Sequence, residues 1–140
     1  MKENIIVGQV TGGHETNPLW ISQINDAGFK KALETSLKVT GLYGGESSKY
    51  KLNVAMLELK QPFVAIDMTV TCTIYYSLVD AKSEQVIYSR KITTPYTAKF
   101  SDDFIAATRL QDANEGAARE NIAELIKDLY KLRINKNIKL

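Results

Sequence analysis

The chain contains one histidine, His14, and this residue is the first to consider for chemistry near neutral pH. It lies in the segment Gly12–Trp20, GGHETNPLW, together with the only tryptophan. Imidazole is the usual general base at this pH, but a base requires a group to activate. The nearby threonine and serine hydroxyl groups belong to no recognised nucleophile motif. We therefore predict no catalytic residue here and interpret the segment as a polar turn.

The same segment also has features of a binding loop. Gly12 and Gly13 permit backbone angles that other residues rarely adopt, and Pro18 restricts the exit from the loop. The simpler interpretation is a connection in which Trp20 packs over the end of the core. The alternative is a ligand cleft between this loop and a sheet, with His14 as acid or base. His14 and Trp20 are therefore candidate binding residues.

The other residue types that could take part in chemistry form no recognisable site in the sequence. Cys72 is the only cysteine, which excludes an internal disulfide and a multi-cysteine metal site. It lies in the apolar phase of a strand pattern, where burial raises the pKa of a thiol. No glycine-rich phosphate-binding motif precedes a helix, because Gly41 and Gly44 precede a strand. We predict no metal, no cofactor and no enzymatic activity.

A second polar cluster is the segment 109–121, RLQDANEGAAREN. On a helix, Glu115 and Arg119 are spaced to pair on one face, and such a surface pair contributes little free energy. The alternative is that the arginines anchor the helix to a sheet edge or to a partner. Arg109 and Arg119 therefore join the candidate binding residues.

The charge balance argues against a polyanionic partner. The 18 lysine and arginine residues and 16 acidic residues leave a net charge of +2, so we predict no nucleic-acid binding. The basic residues concentrate after Asp128, at Lys131, Arg133, Lys136 and Lys139. We interpret them as the basic end of a helix and a solvated tail. Binding of anionic lipid headgroups or polyanions is the alternative.

Length and composition predict one soluble domain, 1–140. The chain has 140 residues, of which 44% are hydrophobic and 24% charged. No apolar run is long enough to span a bilayer, and the N-terminal MKENIIVGQV lacks the apolar core of a signal peptide. Either the protein is cytoplasmic and starts at Met1, or the chain is trimmed from a longer precursor.

Hydrophobic periodicity predicts the first elements. Residues 4–11 form a β-branched strand that ends at a glycine pair. From Asn25, a plausible N-cap, helix spacing relates Phe29, Ala32, Leu33 and Leu37. Gly41 is expected to close this helix.

Three strands are expected next. Residues 50–59 alternate in hydrophobicity but change phase near Met56, which predicts a β-bulge. The alternation from 66 to 78 is the cleanest in the chain. It predicts one core face and one partly wet face that is rich in threonine and carries Tyr75. A further strand starts at Val86.

The last element is predicted to be a helix with one buried stripe, formed by Ala118, Ile122, Leu125, Ile126 and Leu129. Ser101 or Asp102 could cap its start, while Gly116 argues against a single unbroken helix. The order is therefore β-α-β-β-β-α. We predict an α+β two-layer sandwich, with a mainly antiparallel four-stranded sheet covered on one face by two helices.

With this pattern the chain resembles small bacterial envelope lipoproteins. The resemblance covers nearly the whole chain and rests on five segments, NPLW, FKKALETSL, YKLNVAMLEL, TVTCTIYYSLVD and ANEGAARENIAELIKDL. It implies a periplasmic domain. In the natural precursor this domain would be membrane-anchored through a signal peptide and a lipidated cysteine, neither of which lies in this chain.

Three functional hypotheses remain. The first is a non-enzymatic periplasmic domain that presents a surface to a protein or envelope partner through some of the candidate binding residues, His14, Trp20, Tyr75, Arg109 and Arg119. The second is a small-molecule-binding protein or enzyme with a cleft at the Gly12–Trp20 loop. The third is a homo-oligomer that associates through a strand edge or an open sheet face.

Overall fold

In a computed structural model of the chain, residues 4–12, 26–60, 67–99 and 106–135 are described. The elements are β1 (Ile5–Thr11), α1 (Asp26–Val39), β2 (Tyr50–Lys60), β3 (Met68–Asp80), β4 (Val86–Ala98) and α2 (Ala106–Asn135), with a short 3-10 turn, Gly45–Ser47, before β2. This order confirms the predicted β-α-β-β-β-α arrangement and the α+β class.

The four strands form one mixed sheet in the order β1-β2-β3-β4. β1 and β2 are parallel, because α1 crosses over between them, whereas β2, β3 and β4 are joined as antiparallel neighbours. β1 and β4 are therefore the edge strands. Pro95 lies on β4, and an edge is where a strand tolerates a residue that lacks an N–H group.

The core lies between one face of the sheet and the two helices. α1 packs against β1, and α2 packs against β3 and β4. The largest fully buried side chains come from both helices, three strands and the segment after α1, and they are Tyr76, Phe29, Ile5, Leu33, Leu37, Leu42, Leu52, Ile74, Leu78, Leu125 and Leu129. Within the described residues, no helix or strand covers the other face of the sheet.

α1 ends at a glycine, as predicted. Gly41 has a φ of +75°. The N–H group of Leu42 donates to the Leu37 carbonyl over 2.8 Å, and that of Gly41 donates to the Lys38 carbonyl over 3.2 Å, which is a Schellman motif. Leu37 and Leu42 are both buried and contribute the apolar contact that accompanies this motif.

The buried stripe of α1 is narrower than predicted. Phe29, Leu33 and Leu37, one residue per turn, are buried, whereas Ala32 is exposed. The reason is that α1 covers the edge strand β1 alone, so a single line of side chains reaches the sheet.

β2 contains the predicted bulge. Met56 lies opposite Ile74 and Glu58 lies opposite Thr73, so Leu57 is the additional residue. Because of this extra residue, Leu59 returns to the core side, where it packs against the hydrophobic cluster.

α2 is one continuous helix through Gly116, contrary to the expectation that this glycine interrupts it. Gly116 faces the aromatic ring of Tyr96 on β4, and a Cβ atom at this position would lie 2.6 Å from the ring Cε1 atom. The glycine therefore lets the helix approach the sheet closely. The predicted stripe is confirmed at four positions that are buried, Ala118, Ile122, Leu125 and Leu129, and Ile126 is partly buried.

Candidate functional site

The uncovered side of the sheet, called the open face below, is the candidate site. Successive residues of a strand point to opposite faces, so Cys72 and Ile74 of β3 point to the helices and the residues between them point outward. The residues of β3 and β4 on the open face include Thr69, Thr71, Thr73, Tyr75, Ser77, Ser89, Lys91, Thr93, Pro95 and Thr97. This confirms the predicted threonine-rich, partly wet face.

Four of the five threonines of the open face are paired across the two strands, and Thr71 lies opposite Pro95. The Oγ1 atoms of Thr69 and Thr97 are 2.8 Å apart, and those of Thr73 and Thr93 are 3.0 Å apart. A hydroxyl group has one hydrogen to donate and two lone pairs, so each pair retains one free hydrogen and acceptor capacity. Because threonine is restricted at χ1 and these side chains hold one another, binding to them would immobilise few rotamers.

Tyr75 lies near the centre of this face. Its neighbours across the sheet are Ala55 on β2 and Lys91 on β4. Tyr75 is 39% exposed, and it is the one aromatic among the large hydrophobic side chains that the described part of the chain exposes. Tyrosine combines an apolar ring with a polar hydroxyl group and is enriched in protein interfaces.

The β1 side of the open face depends on a glycine. Asn53 Oδ1 accepts a 3.0 Å hydrogen bond from the backbone N–H of Gln9, where the β1–β2 register shifts. A Cβ atom on Gly8 would lie 2.6 Å from Lys51 Cγ and would also collide with the Asn53 side chain. Gly8 thus leaves space for these two β2 side chains.

Gly12 confirms that a glycine is needed at the start of the GGHETNPLW segment. Its φ is +91°, and a Cβ atom there would collide with the carbonyl oxygen of Met56. The segment therefore begins beside the β2 bulge. His14 and Trp20, the candidates within it, lie outside the described residues.

Of the two candidate arginines, Arg119 alone has a described side chain. Arg109 lies in α2, but its side chain is outside the described part of the chain. The guanidinium carbon of Arg119 is 5.7 Å from the ring centroid of Tyr96, on the helix side of the sheet. Tyr75 and Arg119 are thus separated by the sheet. The Arg119–Tyr96 contact links α2 to the edge strand β4, which is the geometry of the anchoring alternative.

Cys72 is buried against the helices. Burial raises the pKa of its thiol from 9.0 to about 12. A thiol that stays protonated and shielded is a poor nucleophile, so Cys72 acts as a small hydrophobic residue.

Sequence reasoning missed a polar network at the centre of the core. Asn121 of α2 is fully buried, and its Oδ1 atom accepts a 2.8 Å hydrogen bond from the Tyr76 hydroxyl group. Its Nδ2 atom donates to the carbonyl groups of Ile92 (2.9 Å) and Cys72 (3.1 Å). Burial is the main cause that raises the pKa of Tyr76. The signal was present in the sequence, since a polar residue stands beside the apolar stripe that begins at Ala118.

A second polar cluster that was not predicted from the sequence holds the C-terminal half of α2 on the sheet. Asp128 Oδ2 accepts 2.6 Å hydrogen bonds from the Tyr88 hydroxyl group and from Arg90 Nη1. Burial, followed by the bond to Asp128, raises the pKa of Tyr88, and the bond to Asp128 raises the pKa of Arg90. These polar atoms bind one another and hold α2 on β4.

No group of histidine, cysteine and carboxylate side chains among the described residues has an arrangement suited to a metal ion. Neither helix is long and apolar enough, over its described part, to cross a membrane.

The fold recurs in solved bacterial proteins. A protein described as a lipoprotein from Caulobacter crescentus CB15 is 19% identical, and the match covers 96% of this chain and 93% of that one with a TM-score of 0.66. A DUF330 protein from Xanthomonas campestris is 14% identical, with 90% and 82% coverage and a TM-score of 0.65. The chain shares its fold with bacterial lipoproteins. This confirms the resemblance noted in the sequence at the level of architecture.

A third similar structure is PelC from Paraburkholderia phytofirmans, a dodecamer. It is 15% identical, with 89% and 85% coverage and a TM-score of 0.59. No protein-family model matches the chain, and no curated protein matches it. None of the three solved structures is named for an enzymatic activity.

Proposed function

We propose that the chain is the non-enzymatic periplasmic domain of a membrane-anchored bacterial lipoprotein, and that its open face binds a protein or another envelope component. The observation that carries this proposal is the asymmetry of the sheet. Two helices bury one face, while the other presents ordered threonine pairs around Tyr75.

The chemistry of the open face suits a polar, largely uncharged partner surface. The threonine methyl groups and the Tyr75 ring offer apolar area, and the hydroxyl groups offer hydrogen bonds at fixed spacing. Flat, rigid surfaces of this mixed composition resemble non-obligate protein interfaces, which are about as apolar as the rest of the surface. Because the face is already ordered, association would lose little side-chain entropy.

The perturbed groups support binding rather than catalysis. Three of the pKa values raised in the described chain belong to Cys72, Tyr76 and Tyr88, and burial is the main cause at each. None of these three groups lies on the open face beside a side chain that could act as its base. They contribute to the core and to the contacts of α2.

The anchor is tested by mass spectrometry of the mature N-terminus, on protein expressed from its natural full-length gene, together with membrane fractionation. A diacylated or triacylated cysteine upstream of this chain, in the membrane fraction, supports the proposal. An unmodified Met1 in the soluble fraction would refute it and would direct attention to a ligand at the Gly12–Trp20 loop.

The open face is tested separately with a matched pair of substitutions. Thr93→Arg places a long cation on the open face, whereas Thr35→Arg makes the same change on an exposed position of α1. Co-purification from envelope extracts is expected to lose its partner with Thr93→Arg and to keep it with Thr35→Arg. Equal recovery with both variants would count against the open face.

Self-association is the second candidate function, and two observations favour it. β4 is a 13-residue edge strand, and the solved PelC structure is a dodecamer. Exposed edges are templates for pairing with another chain, although Pro95 and Lys91 limit such pairing here. Light scattering after size exclusion is expected to give an oligomer that dissociates in Lys91→Pro. A monomer in the wild type removes this candidate.

A further inference from the structure

Segments that are distant in the sequence meet at one end of the sandwich, called the basal end below. The N–H group of Ile5, at the start of β1, donates to the Leu42 carbonyl just after α1, over 2.9 Å. The N–H group of Ala81, in the β3–β4 turn, donates to the Lys49 carbonyl before β2, also over 2.9 Å. The Tyr130 hydroxyl group brings α2 to the same end by donating to the Thr40 carbonyl.

Four exposed lysines surround this end, Lys38, Lys49, Lys82 and Lys131. The Lys38 ammonium lies 4.9 Å from the ring centroid of Tyr43, and that of Lys49 lies 5.5 Å from the ring centroid of Tyr50. None of the four lies within ion-pair distance of a carboxylate among the described residues. They are therefore available to an external anion.

Two exposed apolar side chains lie at the same end. Val39, the last residue of α1, is 81% exposed, and Val86, the first residue of β4, is 55% exposed. Both belong to the basal end, since Val39 directly precedes Thr40 and Val86 pairs with Val79 near the end of β3. Exposed apolar groups within a basic surface are typical of protein segments that rest on lipid headgroups.

Three described acidic residues lie at the same end. They are Glu46, Asp80 and Glu84. The Asp80 carboxylate accepts 2.9 and 3.0 Å hydrogen bonds from the N–H groups of Lys82 and Ser83, and these bonds lower its pKa. α2 adds Arg133 in its last turn, and the sequence contains no acidic residue after Asp128. Five basic residues, the four lysines and Arg133, therefore face three acidic residues at this end, so its net charge is positive.

We propose that the basal end rests on anionic lipid headgroups of the membrane that anchors the protein. The inference rests on the proposed function, which supplies the membrane. The first described residue, Asn4, bonds to Tyr50 at this end, so a tether that precedes it would join the domain here. Contact with the lipid would then come from three weak sources that act together, the tether, the lysines and Val39. The end that contains Gly12, Lys60 and Lys99 would point away from the membrane.

The test uses the purified chain and flotation with vesicles. Vesicles of equal parts phosphatidylglycerol and phosphatidylcholine are compared with vesicles of phosphatidylcholine alone, at 50 and 300 mM salt. We expect binding to the anionic vesicles at 50 mM salt, at least about fivefold weaker binding at 300 mM because salt screens exposed charges, and none to the neutral vesicles. Equal binding to both vesicle types would overturn the proposal, as would no binding at all.

Matched variants locate the surface. The double variant Lys38→Glu, Lys82→Glu reverses two charges at the basal end, whereas Lys30→Glu, Lys31→Glu makes the same charge change on the exposed first half of α1, away from that end. The partition coefficient is expected to fall at least about tenfold in the first and less than about twofold in the second. Val39→Asp is expected to weaken binding as well. Equal losses in the two double variants would mean attraction by net charge and would overturn the assignment to the basal end.

This test separates the two proposals. If the natural protein lacks a lipid anchor but the basal end still binds anionic vesicles, the proposed function fails and the lipid-binding surface remains. If the protein is lipidated and the basal variants bind vesicles as the wild type does, the proposed lipid-binding surface is refuted and the proposal of an anchored domain stands.

Discussion

The Tyr76 hydroxyl group donates a 2.8 Å hydrogen bond to Asn121 Oδ1 between β3 and α2, and both side chains are fully buried. A buried hydroxyl group without a partner is costly, and so is a buried amide. Here each satisfies the other, and the Asn121 amide also binds two backbone carbonyl groups of the sheet. The pair therefore fixes the position of α2 along one side of the sheet, opposite the open face.

Replacement of Asn121 by alanine is expected to lower the free energy of unfolding by about 2–4 kcal/mol. The substitution leaves the Tyr76 hydroxyl group without its Asn121 acceptor and removes three bonds to the sheet, two to backbone carbonyl groups and one to Thr94 Oγ1. Urea unfolding monitored by circular dichroism measures the effect. A loss below about 1 kcal/mol would contradict the assigned network.

A double-mutant cycle with Tyr76→Phe supplies the control. Tyr76→Phe removes one hydroxyl group and keeps the ring. If the two residues act as a pair, the double variant loses less stability than the sum of the single losses, by more than about 0.5 kcal/mol. Additive losses would mean that Asn121 and Tyr76 contribute independently.

Gly116→Ala is expected to destabilise the protein by about 1–3 kcal/mol, although alanine favours helices by about 1 kcal/mol over glycine. The reason is that the new methyl group would collide with the Tyr96 ring. Thermal unfolding checks the sign. In a Tyr96→Ala background the ring is absent, so the same substitution should stabilise the protein, and a loss in both backgrounds would contradict this explanation.

The fold was largely predictable because its signals are local. The alternation of β3, the phase change at the β2 bulge and the glycine that ends α1 each follow from neighbouring residues. The prediction for α2 was wrong at Gly116, because the contact that requires this glycine is not local in the sequence. The ring that requires it is on Tyr96, 20 positions earlier in the sequence. The strand order also depends on contacts between distant segments and could not be derived.

Cys72 is expected to resist thiol reagents in the folded protein. Its thiol is buried, and burial raises its pKa to about 12, so almost no thiolate exists at pH 8. A colorimetric disulfide reagent should titrate one thiol per chain in 6 M guanidinium chloride and close to none in buffer over the same minutes. Rapid modification of the native protein would show that Cys72 is accessible.

Alkaline pH is expected to reduce stability through the same residue. The folded-state pKa of Cys72 is raised from 9.0 to about 12, so its contribution is fully present below pH 9 and is lost as the pH rises toward 12. Tyr76, whose pKa burial also raises, acts in the same direction. In urea unfolding, Cys72→Ala should reduce the loss between pH 9 and 11, by up to about 1.4 kcal/mol per pH unit. Identical pH profiles would contradict the buried thiol.

The candidate site was predicted only in part. Strand alternation predicts the threonine-rich face and Tyr75, because a strand that buries its apolar side exposes the side chains of its other side. Arg119 was selected for its charge, and its actual contact with Tyr96 depends on how α2 lies on the sheet. The sequence indicated the basic residues near the end of α2 as an alternative site for lipid headgroups, but the rest of the basal end could not be predicted, since it joins the ends of both helices with the start of β1 through the tertiary fold.

Site-specific photo-crosslinking in living cells tests the central claim most directly. A benzophenone amino acid replaces Tyr75 on the open face, and, as the control, Thr35 on α1, in protein expressed from the natural full-length gene. We expect a discrete covalent adduct from position 75 in the envelope fraction and none of the same mass from position 35. The absence of an adduct at position 75, or the same adduct at both positions, would contradict a binding role for the open face.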